Sequence, residues 1–455
     1  MKSNNTKSWS DLVLIAIAGI PILFFYYFLW KTRINIPIND DYSLLYFTNN
    51  FSSLNGLVSK INYIINYQHG AYKLIIVNAV FAVQFTLLGY VEFANLSLIG
   101  DVAVLLVYFL IIKNFKIQAF NSLVRLLIIM PVSLLLFQLQ YASTLNFSMA
   151  GIQNISVLIF ALATLSLLTH DVRICFIGAC FSMLFAVGAS GNGFLLIPVG
   201  TLLLAERKRW LHIIIWIIFS IVVGLIYFTN YQLSLPSINH EDGQLIKILS
   251  EFNILYILAF IGSSIAKYQN HLPSAGLGII LIFIWCFAFR NNYSTKNPSV
   301  FYFFIFLVLT AIGVSMIRSN LGIEQSLSSR YRIYSNLILI LTYIYLIETY
   351  FEKIKNEKIQ LTIIGISIFV SAIFFVLSNA AGYRFLQGRK IAVTHEMMIW
   401  KSEVLHEKIE LSGINESQFD PAVTRQLELG IYKPVTPILL ESIRLGVYVP
   451  SGYSK

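Results

Sequence analysis

The sequence predicts an all-α polytopic membrane protein with about eleven transmembrane helices, roughly nine to thirteen being admissible, and a small, mainly helical carboxyl-terminal tail. Three observations predict it. Of 455 residues, 57% are hydrophobic and only 12% charged, with a mean hydropathy of +0.73; soluble chains run about 45–50% apolar and about 25% charged. Apolar runs long enough to cross a bilayer recur through residues 1–378. Charge is concentrated after them: Met1–Tyr383 holds 23 Lys+Arg and 14 Asp+Glu, whereas the 72 residues from Arg384 hold 9 and 8. A soluble enzyme is excluded. Nucleic acid is not an expected partner, because the basic excess lies in short loops between apolar runs.

The runs fall at 12–30, 74–91, 96–112, 119–138, 152–169, 211–229, 274–289, 299–317, 333–350 and 360–378. The first follows Lys2 and Lys7 but is too long for a signal core and lacks a small-x-small cleavage site, so it reads as an uncleaved span. The stretch 174–205 is broken by Ala189-Ser190-Gly191-Asn192-Gly193, which gives two short spans or a re-entrant hairpin. The piece 252–266 is a crossing or a surface helix. Cys175, Cys180 and Cys286 lie in apolar runs, are odd in number and lack metal-ligand spacing, so they read as packing residues.

Orientation follows from basic loops. Lys113/Lys116, Arg173, Arg207-Lys208-Arg209, Arg290/Lys296 and Lys353/Lys355/Lys358 are assigned to the cytoplasm. The amino terminus is then cytoplasmic, and the loops 31–73, 139–151, 230–273 and 318–332 face outward with the tail, 379–455. Two full crossings between His69 and Lys113 would break this parity, so one of those two runs does not cross or the rule fails there. In the tail, Leu429-Gly430-Ile431-Tyr432-Lys433-Pro434 returns as Leu445-Gly446-Val447-Tyr448-Val449-Pro450. Gly430 and Gly446 read as helix-terminating glycines. Residues 394–411 form an amphipathic helix with Met398, Val404, Leu405 and Ile409 on one side.

Candidate chemistry sits in the outward loops. In Pro37-Ile38-Asn39-Asp40-Asp41-Tyr42-Ser43, adjacent carboxylates at the membrane surface suit a general base or a divalent-metal ligand pair; the alternative is a helix cap by Asn39 or Asp40. Gln68-His69-Gly70-Ala71-Tyr72-Lys73 offers His69 and Lys73 to a phosphate, or Tyr72 and Lys73 as interface anchors. Arg318, Arg330 and Arg332, with Glu324 and Tyr331 between and beside them, run against the charge rule on the outer side. They call for an anionic partner such as a lipid phosphate, unless Glu324 pairs with one of them and headgroups take the rest. Asp101 is the one acid well inside a span; Glu92 and Glu348 lie nearer span ends.

The acidic pair within Asn39-Asp40-Asp41-Tyr42 just after the first span, the His-containing approach to the next segment and the late Ser329-Arg330-Tyr331 element resemble the integral-membrane glycosyltransferases of the GT-C fold. Among them the chain looks most like the bacterial and phage-borne O-antigen glucosyltransferases that change lipopolysaccharide serotype. The resemblance covers the whole chain in architecture and three short motifs in sequence. It implies a bacterial inner-membrane enzyme that moves a sugar, commonly glucose, from a polyprenyl-phosphate carrier to lipopolysaccharide O-antigen on the periplasmic face. Asp40 or Asp41 would be the catalytic base, supported by Tyr42, Glu324 and Tyr331. Arg330, Arg318, Arg332, His69 and Lys73 would bind the donor phosphate. Related sequences often carry an acidic-His-Arg run where this chain reads Gln68-His69-Gly70. No cofactor is expected; a divalent metal stays open, since a third ligand is not evident. The other readings are an O-antigen polymerase and a lipid-linked oligosaccharide flippase, the latter disfavoured by the lack of inverted repeats and of charge-lined spans.

Overall fold

The computed structural model describes residues 9–70, 72–117, 122–232, 253–266, 270–404 and 435–450, with side chains of the first helix from Gly19 onward. Among these residues there are helices and connecting turns and no sheet. The first helix, α1 (Trp9–Thr32), leads into two short helices of the first loop, α2 (Asp41–Ser52) and α3 (Leu57–Asn66), and then α4 (Ile75–Leu88). The middle of the chain forms α5 (Phe93–Asn114), α6 (Ser122–Leu136), α7 (Ser148–Leu168), α8 (Arg173–Ala189), α9 (Leu196–Glu206) and α10 (Trp210–Phe228). Then follow α11 (Ile254–Ile261), α12 (Leu272–Arg290), α13 (Tyr293–Lys296), α14 (Pro298–Arg318), α15 (Ser329–Tyr350), α16 (Glu357–Val404) and α17 (Thr436–Arg444).

Each of the ten predicted runs contains a helix, and among the described residues eight helices are long and apolar enough to cross a membrane. Of the expected runs outside these eight, α1 with 24 residues is long enough to span, and the others form shorter helices. The α4 helix has 14 residues, roughly 21 Å against about 30 Å of hydrocarbon. It ends at Gly89, whose φ of 78° breaks the run that hydropathy extends to residue 91. Of the two runs between His69 and Lys113, it is the shorter helix, 14 residues against 22 for α5. Within 253–266, α11 has 8 residues and turns at Gly262, shorter than a bilayer crossing needs. The stretch 174–205 is two helices, α8 of 17 and α9 of 11 residues, separated by a tight turn over Gly191–Leu195.

The polar residues of the spans sort to two ends. At one end the Glu348 carboxylate accepts from the Lys116 N–H at 2.7 Å, from Asn297 Nδ2 at 2.9 Å and from the Tyr293 hydroxyl at 2.7 Å. Lys116 Nζ reaches the Lys296 carbonyl at 2.6 Å. Glu206 accepts from the Tyr302 and Ser294 hydroxyls, and Asp171 lies 3.9 and 3.6 Å from Arg207 and Arg209. The basic loops around Lys116, Arg207 and Lys296 therefore share one end of the bundle. Between the ends, α5 and α7 cross at Gly100 and Gly151, where an added Cβ on Gly100 would lie 2.7 Å from the Gly151 carbonyl carbon. Only glycine permits so close an approach.

The tail boundary expected at 378 falls inside a single helix. The 48 residues of α16 extend about 72 Å, more than twice the hydrocarbon thickness. Towards its carboxyl end the buried face is Val393, Met397 and Trp400, with Val404 of the expected face packed beside them and Met398 turned partly away, because this end of α16 packs under α17 and the first-loop helices. The Trp400 indole donates to the Thr436 hydroxyl at 3.0 Å. Gly446 ends α17 with φ of 69°, and its N–H and that of Val447 return to the Ile443 and Ser442 carbonyls at 3.0 and 2.8 Å. That is a Schellman motif. Val447 then accepts from the Val91 N–H at 2.7 Å, and the Tyr448 hydroxyl donates to Asn35 at 2.9 Å. The Gly430 copy of the motif, and Leu405 and Ile409, lie outside the described residues.

Candidate functional site

The end opposite Glu348 collects the loops read as outward. The chain turns at Asn39, which adopts φ of 48°, and enters α2 at Asp41. Asp40 sits at the N-cap position with helical φ and ψ of −68° and −10°, and makes no capping bond; it is exposed. The expected cap of α2 by Asn39 or Asp40 is therefore replaced by a different device. Asp41, 1% exposed, points away from its own helix and caps α7: its carboxylate accepts from the Met149 N–H at 3.0 Å and from the Ile38 N–H at 3.2 Å. Burial pushes its pKa up to about 7, while the two N–H bonds and the Arg389 charge pull it down. Tyr42 is buried among apolar residues that include Tyr448 and Leu439.

His69 and Lys73 are turned inward. The His69 Nε2–H donates to Asn78 Oδ1 at 2.7 Å, and the Ser43 hydroxyl donates to Nδ1 at 2.6 Å. This tautomer follows because a carbonyl oxygen only accepts, and the Asn78 amide is itself fixed by donation to the Ile64 carbonyl. Burial lowers the His69 pKa, so the ring is neutral. His69 thus staples the first turn of α2 to α4. Lys73, 0% exposed, donates to the Thr229 carbonyl and to Asn66, tying the first loop to the end of α10. Neither residue lines the cavity described next.

A cavity of about 200 Å³ opens beside Asn39, with Ser143, Ser328, Arg330, Phe385 and Arg389 in its wall. It unites four distant pieces of sequence. Ser143 is held to Ser329, the residue after Ser328: its N–H donates to Ser329 Oγ at 2.7 Å, and the Ser329 hydroxyl donates to Ser143 Oγ at 2.5 Å. Arg389 comes from α16, one turn after Phe385, and sequence reasoning missed it. The available signal was Phe385-Arg389-Val393 at i, i+4 and i+8, one helix face carried past the last span. Its guanidinium donates to the Ala142 and Leu145 carbonyls, both at 2.7 Å, with Asp41 and Asp101 as its nearby countercharges. Asp101 accepts from the Asn146 N–H at 3.4 Å through one oxygen, and its other oxygen has no protein partner.

The three arginines Arg318, Arg330 and Arg332 divide. Arg330 lines the cavity, and its Nε is buried without a hydrogen-bond partner. Arg318 lies beside the Tyr72 and Tyr331 hydroxyls. Arg332 donates to the Leu327 carbonyl at 3.3 Å and is not in the wall. Glu324 forms an ion pair with none of the three; it lies 3.7 Å from His271. Tyr331 is buried, its ring 4.9 Å from that of Phe260. Among the described residues no three His, Cys, Asp or Glu side chains come together as a metal-holding group. The arrangement offers an exposed carboxylate, Asp40, one residue from the cavity-lining Asn39, and two guanidinium groups, those of Arg330 and Arg389, in the wall of the same cavity. Such a site can take a proton from one group while holding an anion on the other side.

No family model matches the chain, and no curated protein and no solved structure is significantly similar to it.

Proposed function

We propose that the protein is a polytopic membrane glycosyltransferase that moves a sugar from a polyprenyl-phosphate type of carrier to lipopolysaccharide O-antigen or a related surface glycan. The one observation that carries this reading is that the turn at Asn39, next to the exposed Asp40, and the cationic pair Arg330 and Arg389 border a single cavity, at the end of the bundle away from the basic loops. In the proposed step Asp40 accepts the proton of the acceptor hydroxyl as that oxygen bonds to the anomeric carbon. The bond from that carbon to the carrier phosphate breaks on the opposite face, which inverts the anomeric configuration. Arg330 and Arg389 stabilise the charge that gathers on the departing phosphate. Asp40 is preferred over Asp41 as base because both Asp41 oxygens already accept backbone N–H groups in a buried setting.

The proposed location is the bacterial inner membrane with the cavity facing the periplasm, since positively charged loops favour the cytoplasm. The test is expression in a strain of defined O-antigen, with a supply of lipid-linked sugar, followed by mass and linkage analysis of the glycan. Addition of one hexose per repeat, lost in Asp40→Asn, is the expected outcome. An unmodified glycan despite correct insertion contradicts the reading.

A further inference from the structure

Where the cavity meets the amino end of α15, its wall holds donors that lack acceptors. Ser328 and Arg330 both line it. Ser328 occupies the N-cap position of α15, yet its hydroxyl makes no capping bond. The Ser329 and Arg330 N–H groups, first in that helix, make no backbone bond among the described residues, as the opening of a helix leaves them. Arg330 Nε is buried without a hydrogen-bond partner, and buried donors are normally satisfied. Helix side chains lean towards the amino end, which brings this guanidinium to the side where those N–H groups point. Ser143, also in the wall, is fastened to the same turn: it accepts from the Ser329 hydroxyl at 2.5 Å, which leaves its own hydroxyl hydrogen to donate. No Asp or Glu lines the cavity, and among the described residues none lies within ion-pair distance of Arg330.

A ligand that is negatively charged and accepts at several points completes this set. The amino end of a helix favours an anion, and a lone cation in the first turn opposes the helix dipole. The cavity volume of about 200 Å³ matches about six or seven waters, room for one phosphoryl group with its four oxygens. We infer that the phosphate of the lipid-linked sugar sits on the amino end of α15, held by the Ser328 hydroxyl, the Ser329 and Arg330 N–H groups and Arg330 Nε, with Ser143 as a further donor. This rests on the glycosyl-donor reading above and adds Ser328 as a donor-binding residue. Arg389 has a different part: both its terminal nitrogens already donate to the Ala142 and Leu145 carbonyls, so from the wall it supplies charge more than bonds.

The experiment uses the purified full chain in detergent and two probes, farnesyl phosphoryl glucose and inorganic phosphate, titrated by calorimetry. Both are expected to bind and to compete, since they fill one seat. Ser328→Ala is expected to weaken each about tenfold or more, the range for one lost hydrogen bond to a charged group. Ser328→Thr keeps the hydroxyl and is expected to keep the affinity. Ser328→Asp separates binding from a structural role: Asp caps a helix as well as Ser does, so the unfolding midpoint should hold, while its charge repels phosphate and binding should be lost. Unchanged affinity in Ser328→Ala and Ser328→Asp overturns the inference and leaves the sugar-transfer reading standing, which the cellular glycan analysis tests by itself. Ser328-dependent binding of phosphate by a chain that does not bind farnesyl phosphoryl glucose supports the seat and contradicts the donor reading. An unaltered chain that binds neither probe overturns the inference without any variant.

Discussion

The Asp41 carboxylate accepts the Met149 N–H at 3.0 Å, fastening the first turn of α2 to the first turn of α7. Its neighbour Asp40 makes no capping bond and is exposed. Two adjacent acids of identical chemistry therefore do different work: the Asp41 carboxyl caps the amino end of α7, and the Asp40 carboxylate is left exposed beside the cavity-lining Asn39.

Separate substitutions distinguish the two. Asp40→Asn is expected to lower sugar transfer by roughly 10²–10⁴, the range for a lost general base, with the unfolding midpoint unchanged. Asp41→Asn keeps one acceptor oxygen and loses the other, at a cost of about 1–3 kcal/mol read as a lower midpoint. Full activity in both variants would reduce the pair to a structural feature.

Acid titration gives a second check on Asp41. Its folded pKa, about 7, exceeds the ordinary 3.8, so between those values the folded protein holds a proton that the unfolded chain has released. Stability should fall as pH rises through that window and level off above it. Asp41→Asn removes this slope; a slope that survives the substitution belongs to another group.

For His69 the sign is opposite. Burial lowers its pKa from the usual 6.5, so below that value the unfolded chain takes up a proton that the folded ring resists, and stability falls with acid. His69→Ala should cost about 1–3 kcal/mol, because the Asn78 oxygen loses its donor in a buried site. His69→Gln should recover part of this by donating to Asn78, and should abolish the acid sensitivity near pH 6.5. A phosphate-binding role for His69 would instead show as weakened donor binding with unchanged stability.

Gly100→Ala tests the crossing of α5 and α7. The new methyl would meet Gly151 backbone at 2.7 Å, where neither side is a flexible side chain. A loss of about 1–3 kcal/mol is expected from overpacking, measured as a lower unfolding midpoint. An unchanged midpoint would mean that the helices are less tightly crossed than described.

The membrane-spanning helices were legible because each apolar run is its own signal. What hydropathy does not carry is where a helix stops inside such a run: Gly89 ends α4 while apolar residues continue to Val91. The outer charges Asp40, Asp41, Arg318 and Arg330 stood out because charge is scarce in the body of the chain. Their partners did not. His69 and Lys73 have the right chemistry for a phosphate, but Asn78 and Thr229, distant in sequence by 9 and 156 residues, consume their donors. Arg389 was hidden by the expectation of a tail starting at 379, since only the three-dimensional path of α16 carries that side chain back over the 142–146 loop.

The central claim, that this cavity transfers a sugar with Asp40 as base, is tested most directly by the mass of O-antigen repeats from cells expressing the unaltered chain and Asp40→Asn side by side. The account predicts a gain of one hexose per repeat with the first and no gain with the second, at equal membrane levels. Unmodified repeats from both, or equal modification by both, would contradict it.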